Sequence, residues 1–405
     1  MTRLVSAAVA LVTLAAVSRQ GEPTIAIQAE RVMTMTAQGT IGPAVVVVRG
    51  GRIQAVGAAK TTPVPAGATT LTARVVTPGL IDARTTLGLA GLIRADDEQD
   101  ERTEPNQAHL RAVDGFNLQE PMLRHALEAG VTVVQTGPGE ANAIGGLAGI
   151  FKTFATSTAA ATVRFPSALV IALTEVAKNT YGEKGKYPST RMATVGLVRQ
   201  ALIDAEDYGK RLVGPKPPDR DVKHEAVLLA LKRDIPVLVS VSRVDELATA
   251  LRVADEFKLR VVLVGATDAH LIVDRLRVAQ VPVLVGPPGD RIFDEAVRDQ
   301  RLALPATLKA QQVPFAIVSG DDEEAPRVVL LQAVARATAF GLDPETALAA
   351  VTINAARILG VEARLGSIEP GKDADLVLFD GEPFSARARV TAVLVNGEIA
   401  YRRSS

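Results

Sequence analysis

The 405-residue chain has no cysteine and no tryptophan. The first absence excludes disulfides, thiol nucleophiles and zinc held by thiolates. The second, with aromatics at only 3% of residues, argues against the stacking platforms that bind bases and sugars. Charge of one sign is missing too. The 45 Lys and Arg are balanced by 45 Asp and Glu, so no overall field draws in nucleic acid or an anionic membrane. The length is ample for one large core or two modest ones.

What is present begins with "MTRLVSAAVALVTLAAVSRQGEP". One basic residue precedes an apolar run from Leu4 to Val17, followed by the small-residue pattern Ala16-Val17-Ser18 and a polar exit. Residues 1–18 therefore read as a secretory signal. The competing reading is an uncleaved anchor, although the run is shorter than the ~20 residues a membrane span needs. Both put the folded part outside the cytoplasm, periplasmic or extracellular, and cleavage would leave no membrane attachment.

Both ends of the mature chain read as β. "AVVVVRGGRIQAVG" is a hairpin turned at Arg-Gly-Gly, and "VTAVLVNGEIAYRR" is one folded at Asn396-Gly397, which suits a type I′ turn. Two hairpin sets at opposite termini bury their apolar faces most simply against each other. This predicts a composite β-sandwich from residues 24–75 and 370–403. Between them, nearly all-apolar runs such as "VTVVQTG", "PVLVSVS", "RVVLVGA" and "PFAIVSG" alternate with amphipathic helical stretches. That pattern means a parallel sheet covered on both faces, and the number of strands favours a closed α/β (β/α)8 TIM-like barrel over residues 76–369. An open doubly wound sheet is the alternative. In a barrel, function sits just after the strands.

The frame "TPGLIDARTTLGL" and the closing block "DPETALAAVTINAARILGVEARLGSIEPGKDADLVLFDGEPF" resemble the amidohydrolase superfamily, particularly its exported imidazolonepropionase-like or prolidase-like members. The resemblance spans nearly everything from Ile25 to Tyr401. It implies a barrel plus sandwich and metal-assisted hydrolysis of C–N bonds in cyclic amides or dipeptides, with one or two divalent ions, usually zinc. It also implies a pair of imidazoles ending strand one, further imidazoles ending strands five and six, and an Asp ending strand eight as ligand and proton acceptor.

Placed on this chain, those imidazole positions fall on Arg84, Thr86, Ser240, Ser242 and Gly265. None is a metal-binding side chain of use: Arg stays protonated and a lone hydroxyl is a weak ligand. Only the strand-eight position survives, as Asp321, with Asp322 beside it. The metal site reads as dismantled, so no metal and no cofactor is expected. Arg84 is then a candidate stand-in for the ion, reaching Asp321 or Asp322 across the mouth, unless it points to solvent. Of the four histidines, His109, His125 and His224 read as loop or helix-surface residues. "GATDAH" follows a strand and carries Asp268 and His270 toward the mouth, where a local cap is the competing reading. The Gly-rich "GPGEANAIGGLAG" lacks the features of a phosphate loop. It reads as a loop over the mouth that brings Asn142 and Lys152 to a ligand.

The expected function is a degenerate amidohydrolase that binds a small molecule or peptide. The alternatives are an active amidohydrolase with a reduced metal site, and an exported structural partner of an active paralogue. A homo-oligomer is compatible with each.

Overall fold

The computed structural model describes residues 23–91, 97–286, 302–320, 330–385 and 387–404. Residues 1–18, where a secretory signal is expected, and Asp321 and Asp322 lie outside the described residues.

The first strands are β1 (Thr24–Met33), β2 (Thr40–Ile41), β3 (Ala44–Arg49), β4 (Arg52–Ala58) and β5 (Thr69–Pro78). The barrel follows as β6 (Leu80–Thr85), β7 (Val131–Thr136), β8 (Ile144–Lys152), β9 (Thr162–Ala172), β10 (Val237–Val241), β11 (Val261–Gly265), β12 (Val283–Val285) and β13 (Phe315–Ile317). The chain ends with β14 (Leu376–Phe379), β15 (Val390–Val395) and β16 (Glu398–Arg402).

The two termini build one eight-stranded sheet in the order β16-β15-β14-β5-β1-β3-β4, with β2 on β1. It folds over itself as a sandwich does. Val46 and Val48 of β3 share an apolar core with Leu376, Leu378 and Leu394 from the C-terminal strands. The hairpin turns meet as well: a side chain added at Gly397 would touch Val48 and Gly51 at 3.0 Å. Asn396 and Gly397 have φ of 48° and 75°, the left-handed pair that a type I′ turn requires. The opposite face of the C-terminal strands, with Val377, Val393 and Val395, joins the core shared with the barrel and its helices.

Gly79 carries the chain from this sheet into the barrel, and any side chain there would strike the Thr132 hydroxyl at 2.1 Å. The barrel sheet runs from β6 to β13 in sequence order. Residues alternate between its two faces. Ile81, Ile150, Val170, Leu238, Val264 and Leu284 fill the interior, while Val131, Val239, Leu263 and Val283 pack outward with the helices. Closure between β13 and β6 is made by a bridge from Thr85 to Gly320 and by Asp82, whose carboxylate accepts from the Ser319 amide at 3.1 Å and from its hydroxyl. Helix Ile353–Leu359 contributes Ala355, Ala356 and Leu359 to the interior core and closes the floor at the strand starts.

The Gly-rich stretch is corrected by the structure. Residues 144–152 are a fully buried strand, β8, antiparallel to both β7 and β9, where the other strand pairs of this sheet are parallel. Its glycines are there for close packing. A Cβ on Gly145 would meet Pro138 at 2.9 Å, and one on Gly149 would meet the Phe151 ring at 2.5 Å.

Candidate barrel-mouth site

Arg84 ends β6 wholly buried, and its Nη2 donates to the Pro138 carbonyl at 2.5 Å. Pairing between β6 and β7 shifts register across Asp82 to Thr85. The guanidinium lies against Gly137, where a Cβ would come within 3.0 Å of Nη1 and 2.8 Å of the Ala148 methyl. Arg84 therefore does not point to solvent. It is held over the β7 end by a residue too small to displace it. Thr86 is also buried, and its carbonyl accepts from the Leu89 amide at 2.9 Å to turn the chain into the next loop. Glu120 fixes that loop by accepting from the amides of Gly88 and Gly91. Burial pushes the Glu120 carboxyl up, and the two amide bonds offset only part of the rise.

Ser240 on β10 is buried, and its Oγ has no hydrogen-bond partner among the described residues. Gln135 on β7 is in the same position through Oε1, although its Nε2 donates to Ser167 at 3.0 Å. Buried polar atoms of this kind call for a ligand or a water. Ser242 is part of a cap: Glu246 accepts from the Ser242 and Arg243 amides, and Arg191 donates to Glu246 at 3.0 Å. At Gly265, another of the expected imidazole positions, the backbone itself is unsuited to a side chain. Its φ of 79° is left-handed, so an imidazole there would be strained as well as absent.

Asp268 and His270 sit on the 3-10 turn Thr267–Ile272 that follows β11. The Asp268 carboxylate accepts from the Val244 amide at 3.0 Å and so caps the helix after β10. Its Oδ1 and the His270 Nδ1 have no hydrogen-bond partner among the described residues. Of the other histidines, His125 is exposed beside Glu128, and His224 lies beside Asp221 and the Tyr208 ring.

Asn142 lies at the mouth end of β8, engaged by its own neighbours. It donates to the Glu101 carbonyl at 2.9 Å and accepts from the Tyr181 hydroxyl at 2.5 Å. Burial, followed by the charges of Asp100, Glu101 and Glu104, raises the Tyr181 phenol to about 12. Lys152 is not a mouth residue. Because β8 runs antiparallel, its last residue lies at the strand-start end of the barrel, opposite Val133, where Lys152 pairs with Asp375 at 2.6 Å. The antiparallel turn of the chain left no sign in the composition, so sequence reasoning put this cation at the wrong end. It also missed Glu120 and Glu246, whose only signal is an acidic residue close to a helix start.

The residues on which the resemblance places metal-holding imidazoles do not fit a divalent ion. They carry a buried guanidinium, two kinds of hydroxyl and a left-handed glycine, while neighbouring Asp82 is bonded to Ser319 and Asp268 gives one of its two oxygens to the Val244 amide. Among the described residues, no three His, Asp or Glu side chains gather into a metal-holding group.

Residues 234–401 match the amidohydrolase family model. Over 383 residues the chain is 28% identical to an imidazolonepropionase of Rhizorhabdus wittichii, covering 87% of this chain and 92% of that one. It is 27% identical over 362 residues to amidohydrolase tasK of Hapsidospora irregularis, covering 81% of this chain but only 36% of that protein. Among solved structures, a prolidase complexed with N-methylphosphonate-L-proline has the same fold, with a TM-score of 0.62 at 19% identity over 94% of this chain and 100% of that one. An amidohydrolase from Thermotoga maritima MSB8 is nearer, at a TM-score of 0.88 and 32% identity, again over 94% and 100%. With a shared fold, that level of identity and coverage of the whole of the Thermotoga chain, this protein belongs to the amidohydrolase superfamily.

Proposed function

We propose that the chain is a non-hydrolytic amidohydrolase-superfamily protein, exported from the cytoplasm, that binds a small polar molecule or peptide at its barrel mouth. The observation that carries this reading is Arg84, buried and tied to Pro138 where the resemblance expects an imidazole ligand. A permanent guanidinium repels a divalent cation and supplies its own positive charge, which disfavours activation of water by a bound metal at this strand end. The unmatched Ser240 Oγ and Gln135 Oε1 supply hydrogen-bonding capacity for an occupant.

The test is elemental analysis of the purified full chain, combined with hydrolysis assays on imidazolonepropionate and on Xaa-Pro dipeptides. The expected result is no stoichiometric metal and no turnover with added zinc. A tightly held ion whose chelation abolishes hydrolysis would overturn the reading. A second reading, an active enzyme with a reduced metal site, draws on the unmatched Asp268 Oδ1 and His270 Nδ1. The same metal analysis separates the two, and Asp268→Asn would then remove both ion and activity.

A further inference from the structure

The strand-start end of the barrel holds a cavity of about 450 Å³. It lies between the floor helix Ile353–Leu359 and the beginnings of β10, β11 and β12. Five arginines line it, Arg164, Arg233, Arg260, Arg275 and Arg357, against one carboxylate, Asp255. In a chain whose charges balance at 45 of each sign, that is a strong local excess. Between the arginines the wall is apolar, with Leu251, Leu259, Val262, Val281 and Ile358.

The five are not equivalent. Arg164 donates to the Leu359 and Gly360 carbonyls and so caps the floor helix. Arg233 holds the Lys258 carbonyl, and Arg275 pairs with Asp255 at 3.8 Å. Arg260 and Arg357 make no hydrogen bond and no ion pair within 4 Å among the described residues, and Arg357 meets Glu369 only at longer range. All five are exposed at the rim; three of the guanidiniums are thus engaged by neighbouring groups, and two are left to engage whatever enters.

We propose that this cavity is a binding site for a small organic anion with a doubly charged headgroup on an apolar body, such as a phosphate monoester. Its volume falls within the roughly 300–1,000 Å³ of small-molecule pockets. Arginine forks match phosphate oxygens two at a time, and a convergent positive field concentrates a dianion. The apolar wall accommodates the rest of the molecule. The site is on the opposite face from the barrel mouth and does not depend on what happens there.

Calorimetric titration of the full chain with phenyl phosphate and with inorganic phosphate tests the proposal. Phenyl phosphate is expected to saturate and to bind about tenfold more tightly than inorganic phosphate, a difference of about 1.4 kcal/mol. Arg260→Gln with Arg357→Gln should weaken it by about tenfold or more. The charge-matched control, Arg402→Gln with Arg403→Gln at the exposed C-terminal strand, should leave it unchanged. Ala279→Leu, which narrows the cavity without altering charge, should weaken phenyl phosphate and spare inorganic phosphate. Absence of saturation, equal losses in the control pair, or full affinity in the cavity pair would overturn the assignment.

Discussion

Lys152 Nζ lies 2.6 Å from Asp375 Oδ2 and 3.2 Å from Asp373 Oδ2, with none of the three side chains more than 5% exposed. The lysine belongs to the barrel and the aspartates to the segment entering β14, so this pair of contacts joins the two sheets. Arg52 and Arg364 reach Asp373 from its more exposed side, at 2.7 Å and 2.8 Å. Lys152→Met would leave Asp375 buried without its cation. Its expected cost is about 3–5 kcal/mol, the usual penalty for breaking a buried pair from one side. Denaturant unfolding checks it, and a loss under about 1 kcal/mol would place the lysine outside the set of residues that hold the sheets together.

The same cluster sets a limit on acid tolerance. Burial alone would push the Asp373 carboxyl up, but Lys152 and Arg364 outweigh it and hold it below the usual range. At Asp343, which caps helix Pro344–Ala350, burial is outweighed by Lys309 and the Thr346 amide, bringing it to about 2. A depressed carboxylate contributes stability above its unfolded pKa and loses it as pH falls through the folded value. For Asp343 that window runs from about pH 4 down to about 2. Thermal midpoints should fall across it, and Asp343→Asn should flatten the fall; a midpoint constant from about pH 5 to 2 would contradict both assignments.

At high pH the sensitive group is Tyr181. Its phenol is raised to about 12, so between about 10 and 12 the folded chain keeps a proton that the unfolded chain has lost. Stability must therefore decline as pH climbs through that interval. Ultraviolet titration of the phenolates should show one late-ionising tyrosine, missing in Tyr181→Phe.

Much of the architecture could be read from the residues. The Val-rich hairpins, the Asn396-Gly397 turn and the alternation of apolar runs with helices each follow from short-range chemistry, and each has its counterpart in the structure. β8 could not be read, because Gly145, Gly146 and Gly149 look like loop residues until their neighbours are known. The site divides in the same way. The residue types at the expected ligand positions are visible as identities, whereas the left-handed backbone at Gly265 and the seating of Arg84 against Gly137 depend on contacts between distant segments.

Gly137→Ala addresses that seating directly. Its methyl would come within 2.8 Å of Ala148 and 3.0 Å of Arg84, too close for either to remain in place. Overpacking of this kind costs about 1–3 kcal/mol. A double-mutant cycle with Ala148→Gly should recover part of it, and additive losses would show that the two do not touch.

Placing two imidazoles at the strand-one positions is not expected to create metal-dependent hydrolysis. Arg84→His with Thr86→His leaves Ser240, Ser242 and the left-handed Gly265 unchanged. The double variant is expected to bind zinc weakly and to show no metal-dependent turnover. Robust hydrolysis would mean that the ligand positions have been assigned to the wrong residues.

β14 lies between β15 and β5, near the middle of the sheet that the two termini share. The barrel is sealed in a similar way, with Asp82 bonded to a serine 237 residues further on. Neither sheet can finish until nearly the whole polypeptide has been made, so early segments must wait with unpaired edges. A truncation that removes β14 to β16 would strip one whole side from the shared sheet and bare the edge of β5, the strand that leads into the barrel.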